Sequence, residues 1–261
     1  MISMKVKQQF VCFQIRNLLI LIGTVCCIFE GIAEHNWNKQ IKAFKPMVVN
    51  VETSSEIVFE TETKGTSFAT VFIIDEERGN IATNRHVTGS SPSYVKINFY
   101  DGSFTEARVL YYNLTHDFGF YQIYPEDIPF ELKAVQLGSW KALALGDELL
   151  LIGNNEKEEY SIKFGTVTNL NVDKGDRHSS YIHTTFDRTG GSSGSPVWNT
   201  KGEVVAIHAR GTDTSSFELP IEYLIDALKI DKIFTVIGGS MGAMQVLQCT
   251  CLLYTSDAAD E

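Results

Sequence analysis

The sequence predicts an all-β protein, and three observations carry the prediction. Short runs rich in β-branched and aromatic residues recur along the chain, at 48–51, 66–74, 95–100, 107–112, 118–123, 149–152, 164–170, 181–186 and 204–208. Turn dipeptides such as Asp101-Gly102 and Lys201-Gly202 punctuate them. Helical periodicity is scarce, and its clearest instance opens at Pro220, with Ile221, Leu224, Ile225 and Leu228 at helical spacing. Many short strands joined by glycine turns point to barrels or a sandwich closed by one short C-terminal helix. The length of 261 residues suits one all-β domain of ~200 residues plus extensions.

Composition narrows the function classes. An apolar fraction of 44% and a charged fraction of 21% are ordinary for a folded domain. The net charge is −10, with no long basic run and no zinc-finger spacing, which argues against a nucleic-acid partner. The acidity reads as ordinary solubility. All five cysteines, at 12, 26, 27, 249 and 251, lie outside residues 34–248. The body therefore has no disulfide framework, no thiol nucleophile and no thiolate metal site. Lys5, Lys7 and Arg16 precede an apolar run at 18–29, which is shorter than the ~20 residues a membrane span needs. With Gly31-Ile32-Ala33 behind it, residues 1–33 read as a signal peptide or, alternatively, an uncleaved anchor. The signal reading predicts an exported protein, periplasmic or secreted, with no span after cleavage.

Three short segments carry chemistry. The first is Gly190-Gly191-Ser192-Ser193-Gly194-Ser195-Pro196, a small-residue turn between two strand-like runs. Glycines around a serine let the backbone fold tightly and turn amide N–H groups outward, as an oxyanion requires. The second is Ile81-Ala82-Thr83-Asn84-Arg85-His86-Val87, where a histidine is expected at a strand end and can carry its imidazole into a cleft. The third is His116-Asp117-Phe118-Gly119-Phe120, where an aspartate opens an apolar run and can orient an imidazole from partial burial. The chain order His86, Asp117, Ser193 is that of chymotrypsin-type double β-barrels, and subtilisins and α/β-hydrolases use other orders. It disfavours an esterase, as does the lack of a βαβ pattern.

TNRHV, HDFGF and GGSSGSPV resemble the three catalytic blocks of HtrA/DegP-type serine proteases. With Phe217-Glu218-Leu219-Pro220 they are most similar to the fungal nuclear HtrA-like branch and its bacterial relatives. The resemblance covers residues 45–230. It implies a trypsin-like double β-barrel, barrel one at about 45–138 and barrel two at about 139–230, within a protease domain of 34–230. His86 matches the general base, Asp117 its orienting carboxylate and Ser193 the nucleophile. The oxyanion hole matches Gly191, Ser192 and Ser193, through the amides of Gly191 and Ser193. The common family form has Asn and Gly where this chain has Ser192 and Ser195, and both serines remain alternatives for the nucleophile. No metal or cofactor is implied. The implied function is endoproteolysis of unfolded or damaged polypeptides in extracytoplasmic quality control, by an enzyme that is often trimeric in relatives. The alternative is a peptide-binding chaperone with an inactive or regulated triad.

By register with the trypsin fold, the resemblance implies that Asp187 lines the base of the primary specificity pocket, followed by Arg188, with Ile207, His208 and Ala209 forming one wall. Asp187 would favour a basic substrate side chain unless Arg188 neutralises it, whereas the family usually takes small or medium apolar residues. Gly153-Asn154-Asn155 reads as a turn after the first strand of barrel two, without a catalytic role. Residues 231–250 resemble the start of a linker to a further, PDZ-like domain, with a natural short tail as the alternative. Residues 251–261 read as translated sequencing-adapter sequence.

Overall fold

Twelve strands close into two six-stranded antiparallel barrels in the computed structural model, which describes residues 36–229 apart from 60–61, 130, 156–157, 174–178 and 188–189. The expectations for 1–33, for 231–250, for 251–261, for all five cysteines and for Arg188 lie outside the described residues.

A seven-residue helix, α1 (Asn38–Phe44), leads into barrel one. That barrel is β1 (Val48–Ser55), β2 (Gly65–Asp75), β3 (Asn80–Thr83), β4 (Tyr94–Asn98), β5 (Phe104–Tyr112) and β6 (Gly119–Ile123). Its spatial order is β1-β2-β3-β6-β5-β4, closed by β1 on β4. One turn of helix, α2 (Arg85–Thr88), follows β3. Barrel two is β7 (Glu148–Asn155), β8 (Glu158–Asp173), β9 (Ser180–Thr184), β10 (Pro196–Trp198), β11 (Val204–Gly211) and β12 (Ser216–Pro220). It runs β10-β11-β12-β9-β8-β7, closed by β10 on β7. Helix α3 (Glu222–Leu228) ends the described chain, as the spacing after Pro220 predicts.

Side chains alternate across a strand, so every second residue faces the barrel interior. Val71 and Ile73 of β2 join Val49, Ile81, Ile97 and Tyr121 inside barrel one. Leu149 and Leu151 of β7 join Val167, Ile182 and Val205 inside barrel two. The intervening residues are apolar as well. Phe72, Phe118 and Phe120 of the first half and Leu150, Ile152, Trp198 and Ile207 of the second form a third cluster that joins the barrels. Burial on both faces explains why these strands read as continuous apolar runs rather than alternating ones.

Three local readings change. His86 is not at a strand end but on α2, three residues past the last residue of β3. Gly153-Asn154-Asn155 is not a turn but the end of β7, paired with β8 through Gly153↔Ser161 and Asn155↔Glu158. Phe186 lies just past β9, which stops at Thr184.

Candidate active site

His86 and Asp117 meet because β3 pairs with β6, which sets Thr83 opposite Gly119 and brings the two segments flanking these strands together. His86 Nδ1 lies 2.9 Å from Asp117 Oδ2 and 3.1 Å from Oδ1, and the His86 backbone N–H donates to Oδ1 at 3.1 Å. Asn84 Nδ2 donates to the Asp117 carbonyl at 3.0 Å, tying the two segments again. The Asp117 side chain is 1% exposed and that of His86 41%. A shielded carboxylate thus holds an accessible imidazole. With Nδ1 committed to Asp117, the favoured neutral tautomer leaves Nε2 basic.

The loop that carries Ser193, the expected nucleophile, joins β9 to β10. Ser195 N–H donates to the Ser192 carbonyl at 3.1 Å, closing a turn with Ser193 in its middle. Gly191 has φ +89° and Gly194 φ +84°, a region that residues with a Cβ rarely enter. A Cβ on Gly194 would sit 2.1 Å from the Thr70 carbonyl oxygen, so this glycine is also required by close approach. Ser192 and Ser195 are buried, and Ser193 is the one of the three serines with appreciable exposure.

Barrel one grips this loop through Thr70 of β2. Its N–H donates to the Ser193 carbonyl at 3.0 Å and its hydroxyl to the Gly191 carbonyl at 3.0 Å. The same hydroxyl accepts from Asn154 N–H at 2.8 Å, and Thr83 Oγ1 donates to the Thr70 carbonyl at 2.9 Å. His86, Asp117, Gly190, Gly191, Ser192 and Ser193 then line one cavity of about 550 Å³. Residues 69–207, just over half of the chain, match the trypsin-like peptidase domain family.

The chain belongs to the trypsin-like peptidase family.

Its curated relatives are of the HtrA type. The chain is 34% identical over 241 residues to the pro-apoptotic serine protease NMA111 of Lodderomyces elongisporus, covering 86% of this chain and 24% of the relative. It is 32% identical to protease Do-like 7 of Arabidopsis thaliana, covering 76% of this chain and 19% of that one. It thus spans about a quarter or less of the length of these relatives. Among solved structures, the fold matches the HtrA-type protease AlgW with tripeptide at TM-score 0.64 and 20% identity, over 75% of this chain and 63% of that one. Deg5 matches at TM-score 0.59 and 21% identity, over 72% and 90%. Among the described residues no helix is long and apolar enough to cross a membrane.

The trypsin-like domain places the other expected site residues unequally. His208 and Ala209 line the cavity, together with Arg210 and Gly211. Ile207 is fully buried in the cluster between the barrels and does not line the cavity. Asp187 lies outside its lining and is ion-paired to Lys163 Nζ at 2.6 Å. That hydrogen bond and charge hold the Asp187 carboxyl below its ordinary range, against a smaller upward push from burial. Thr70 and Asn154 are the residues whose part in the site sequence reading missed. Thr70 looks like an ordinary strand residue and Asn154 was expected in a turn without a catalytic role, and their part in the site comes from contacts across the barrel junction.

Proposed function

We propose that this domain is a serine endopeptidase that hydrolyses peptide bonds of unfolded or damaged polypeptides. The seating of His86 on buried Asp117, in the cavity that Ser193 also lines, carries the reading. Ser193 Oγ attacks the scissile carbonyl while His86 Nε2 takes its proton. The resulting oxyanion is met by the amides of Gly191 and Ser193. Collapse breaks the C–N bond, and His86 returns the proton to the leaving amine. Water then attacks the acyl-enzyme with His86 again as base, which restores Ser193 and releases the acid. Asp117 fixes the imidazole and stabilises its charged form throughout.

Extended substrate can add alongside β11 beyond Ile207, the last residue at which that strand pairs with β10. Assembly into oligomers, as in the family resemblance, is part of the same proposal, and sedimentation of the purified chain tests it. Export rests on the reading of residues 1–33 alone. A reporter fused behind them that stays unprocessed inside the cell would remove it.

The deciding test is cleavage of reduced casein by the purified chain beside its Ser193→Ala variant. Wild type is expected to cut and the variant to lose at least about a thousandfold in rate. Equal cleavage by both would move the nucleophile to Ser192 or Ser195. No cleavage and no labelling of wild type by a fluorophosphonate would overturn the protease reading in favour of peptide binding without turnover.

A further inference from the structure

His208 sits directly behind the nucleophile. Gly194 N–H donates to the His208 carbonyl at 3.0 Å, and His208 N–H donates to the Ser195 carbonyl at 2.9 Å. Its side chain is 2% exposed, yet the residue lines the cavity. Its Nδ1 lies 2.9 Å from Oε2 of Glu218, its cross-strand partner on β12, which is itself fully buried.

The surroundings of Glu218 determine what the ring can offer. Its Oε1 accepts from Thr184 Oγ1 at 2.9 Å and from Ser216 Oγ, both fully buried. Hydroxyl donors and the imidazole therefore converge on the carboxyl group of Glu218. A buried carboxyl met by donors on both oxygens is tolerated, and one left without them is not. Nδ1 is committed to Glu218, and Nε2 is the ring nitrogen left to the cavity, able to donate to an anion there once it takes up a proton, as an imidazole flanked by two carboxylates is favoured to do.

The neighbouring charges point the same way. Asp187, the carboxylate expected to attract a basic side chain, is already answered by Lys163. Arg210, two residues along β11, adds a cationic side chain to the lining. The cavity wall beside Ser193 thus presents an imidazole whose far side is held by a carboxyl group.

We propose that His208, backed by Glu218, makes this a protease selective for an acidic side chain, glutamate or aspartate, on the residue that supplies the scissile carbonyl. The substrate carboxylate accepts a charge-assisted hydrogen bond from His208 Nε2–H. A site built to hydrogen-bond one group rejects analogues that leave its donor unpaired, so apolar side chains are disfavoured there. This inference rests on the protease reading for its catalytic consequence, but its binding consequence can be measured separately.

The test uses the full chain and quenched peptides that differ only at that residue: Glu, Asp, Gln, Val, Ala or Lys. Wild type is expected to cleave the Glu or Asp peptide with kcat/KM at least about tenfold above the Val and Gln peptides. The double variant His208→Gln/Glu218→Gln leaves no buried charge unpaired. It is expected to lose that advantage, so that the Glu and Val peptides differ by less than about threefold in kcat/KM, and labelling by a fluorophosphonate reports whether Ser193 is still reactive in it. Best cleavage of Val, Ala or Lys by wild type, or an acidic preference that survives in the double variant, would overturn the proposal and leave the protease reading intact. In parallel, fluorescence anisotropy on Ser193→Ala compares labelled peptides ending in Glu and in Val. At least about tenfold tighter binding of the Glu peptide, lost with His208, supports the proposal even where nothing is cleaved. Equal binding overturns it.

Discussion

At the scale of single residues, the site depends on positions where a side chain is forbidden or a hydroxyl does two jobs. Gly191 combines φ +89° with a site for Cβ only 3.0 Å from the Asn154 carbonyl oxygen, a backbone atom that cannot swing away. Gly191→Ala should displace the amide proposed to meet the oxyanion and lower kcat on the order of a hundredfold, with little change in overall fold by circular dichroism. Thr70 accepts from Asn154 N–H and donates to the Gly191 carbonyl through one hydroxyl. Thr70→Val leaves both groups without that partner. It should cost about 1–3 kcal/mol of stability in urea unfolding, and kcat should fall more than KM rises. The three candidate residues of the proposed triad could be picked out in the sequence, because glycine-flanked serine, strand-flanking histidine and aspartate are each local patterns. Thr70 and Asn154 were not, since nothing within ten residues of either marks a partner that sits 84 positions away.

At the scale of elements, two attachments stand out. Phe44 at the end of α1 stacks on Trp198 of β10, with ring centroids 5.0 Å apart and planes 6° from parallel. Phe44→Ala should cost about 3 kcal/mol, measured by denaturant unfolding, with kcat almost unchanged because neither ring lines the cavity. The second attachment ties the β1–β2 loop to the turn after α2. Glu62 accepts from Ser90 N–H at 2.6 Å and Ser90 Oγ at 2.8 Å through one oxygen, and from Ser91 N–H at 3.1 Å through the other. Burial pushes the Glu62 carboxyl up, but the hydrogen bonds from Ser91 and Ser90 outweigh it and hold it below its ordinary value of 4.5. A depressed value means that the stabilisation is present above pH 4.5 and is lost as pH falls through the folded-state value. The melting-temperature gap between wild type and Glu62→Gln should therefore be constant near neutrality and close in the acid range. A gap that widens on acidification would contradict this account. Strand detection failed where the element breaks its own rules. β10 is three residues long and starts with proline, and β12 carries a buried glutamate where an apolar residue would be expected. β3 is only four residues long and ends against the segment that carries His86, so it reads as part of that motif. β8 was read only in part because its outer stretches alternate between polar and exposed residues.

For the whole molecule, the apolar cluster shared by β2, β6, β7, β10 and β11 sets the cooperativity. Separating the barrels would expose Phe72, Phe120, Leu150, Ile152 and Trp198 together, a surface too apolar for either half to carry alone. Unfolding in urea, followed by tryptophan fluorescence and by circular dichroism, should give one coincident transition. Two resolved midpoints would show that the barrels are independent. The double-barrel class was legible because strand-sized runs and glycine turns are local, and triad order chose among the architectures. The division of each strand into one face for its own barrel and one for the junction was not, because continuous apolar runs look alike whichever way their residues point.

The bridge from Thr70 to the Ser193 loop also bears on the molecule's birth. The serine is carried by the second half of the chain, but the hydrogen bonds that shape its turn come from a strand made more than a hundred residues earlier. A nascent chain with only its first barrel folded lacks Ser193, and a second barrel that has not yet docked lacks the two hydrogen bonds from Thr70 that hold the Ser193 turn. The shape of that turn is therefore a property of the finished pair of barrels and of neither one alone.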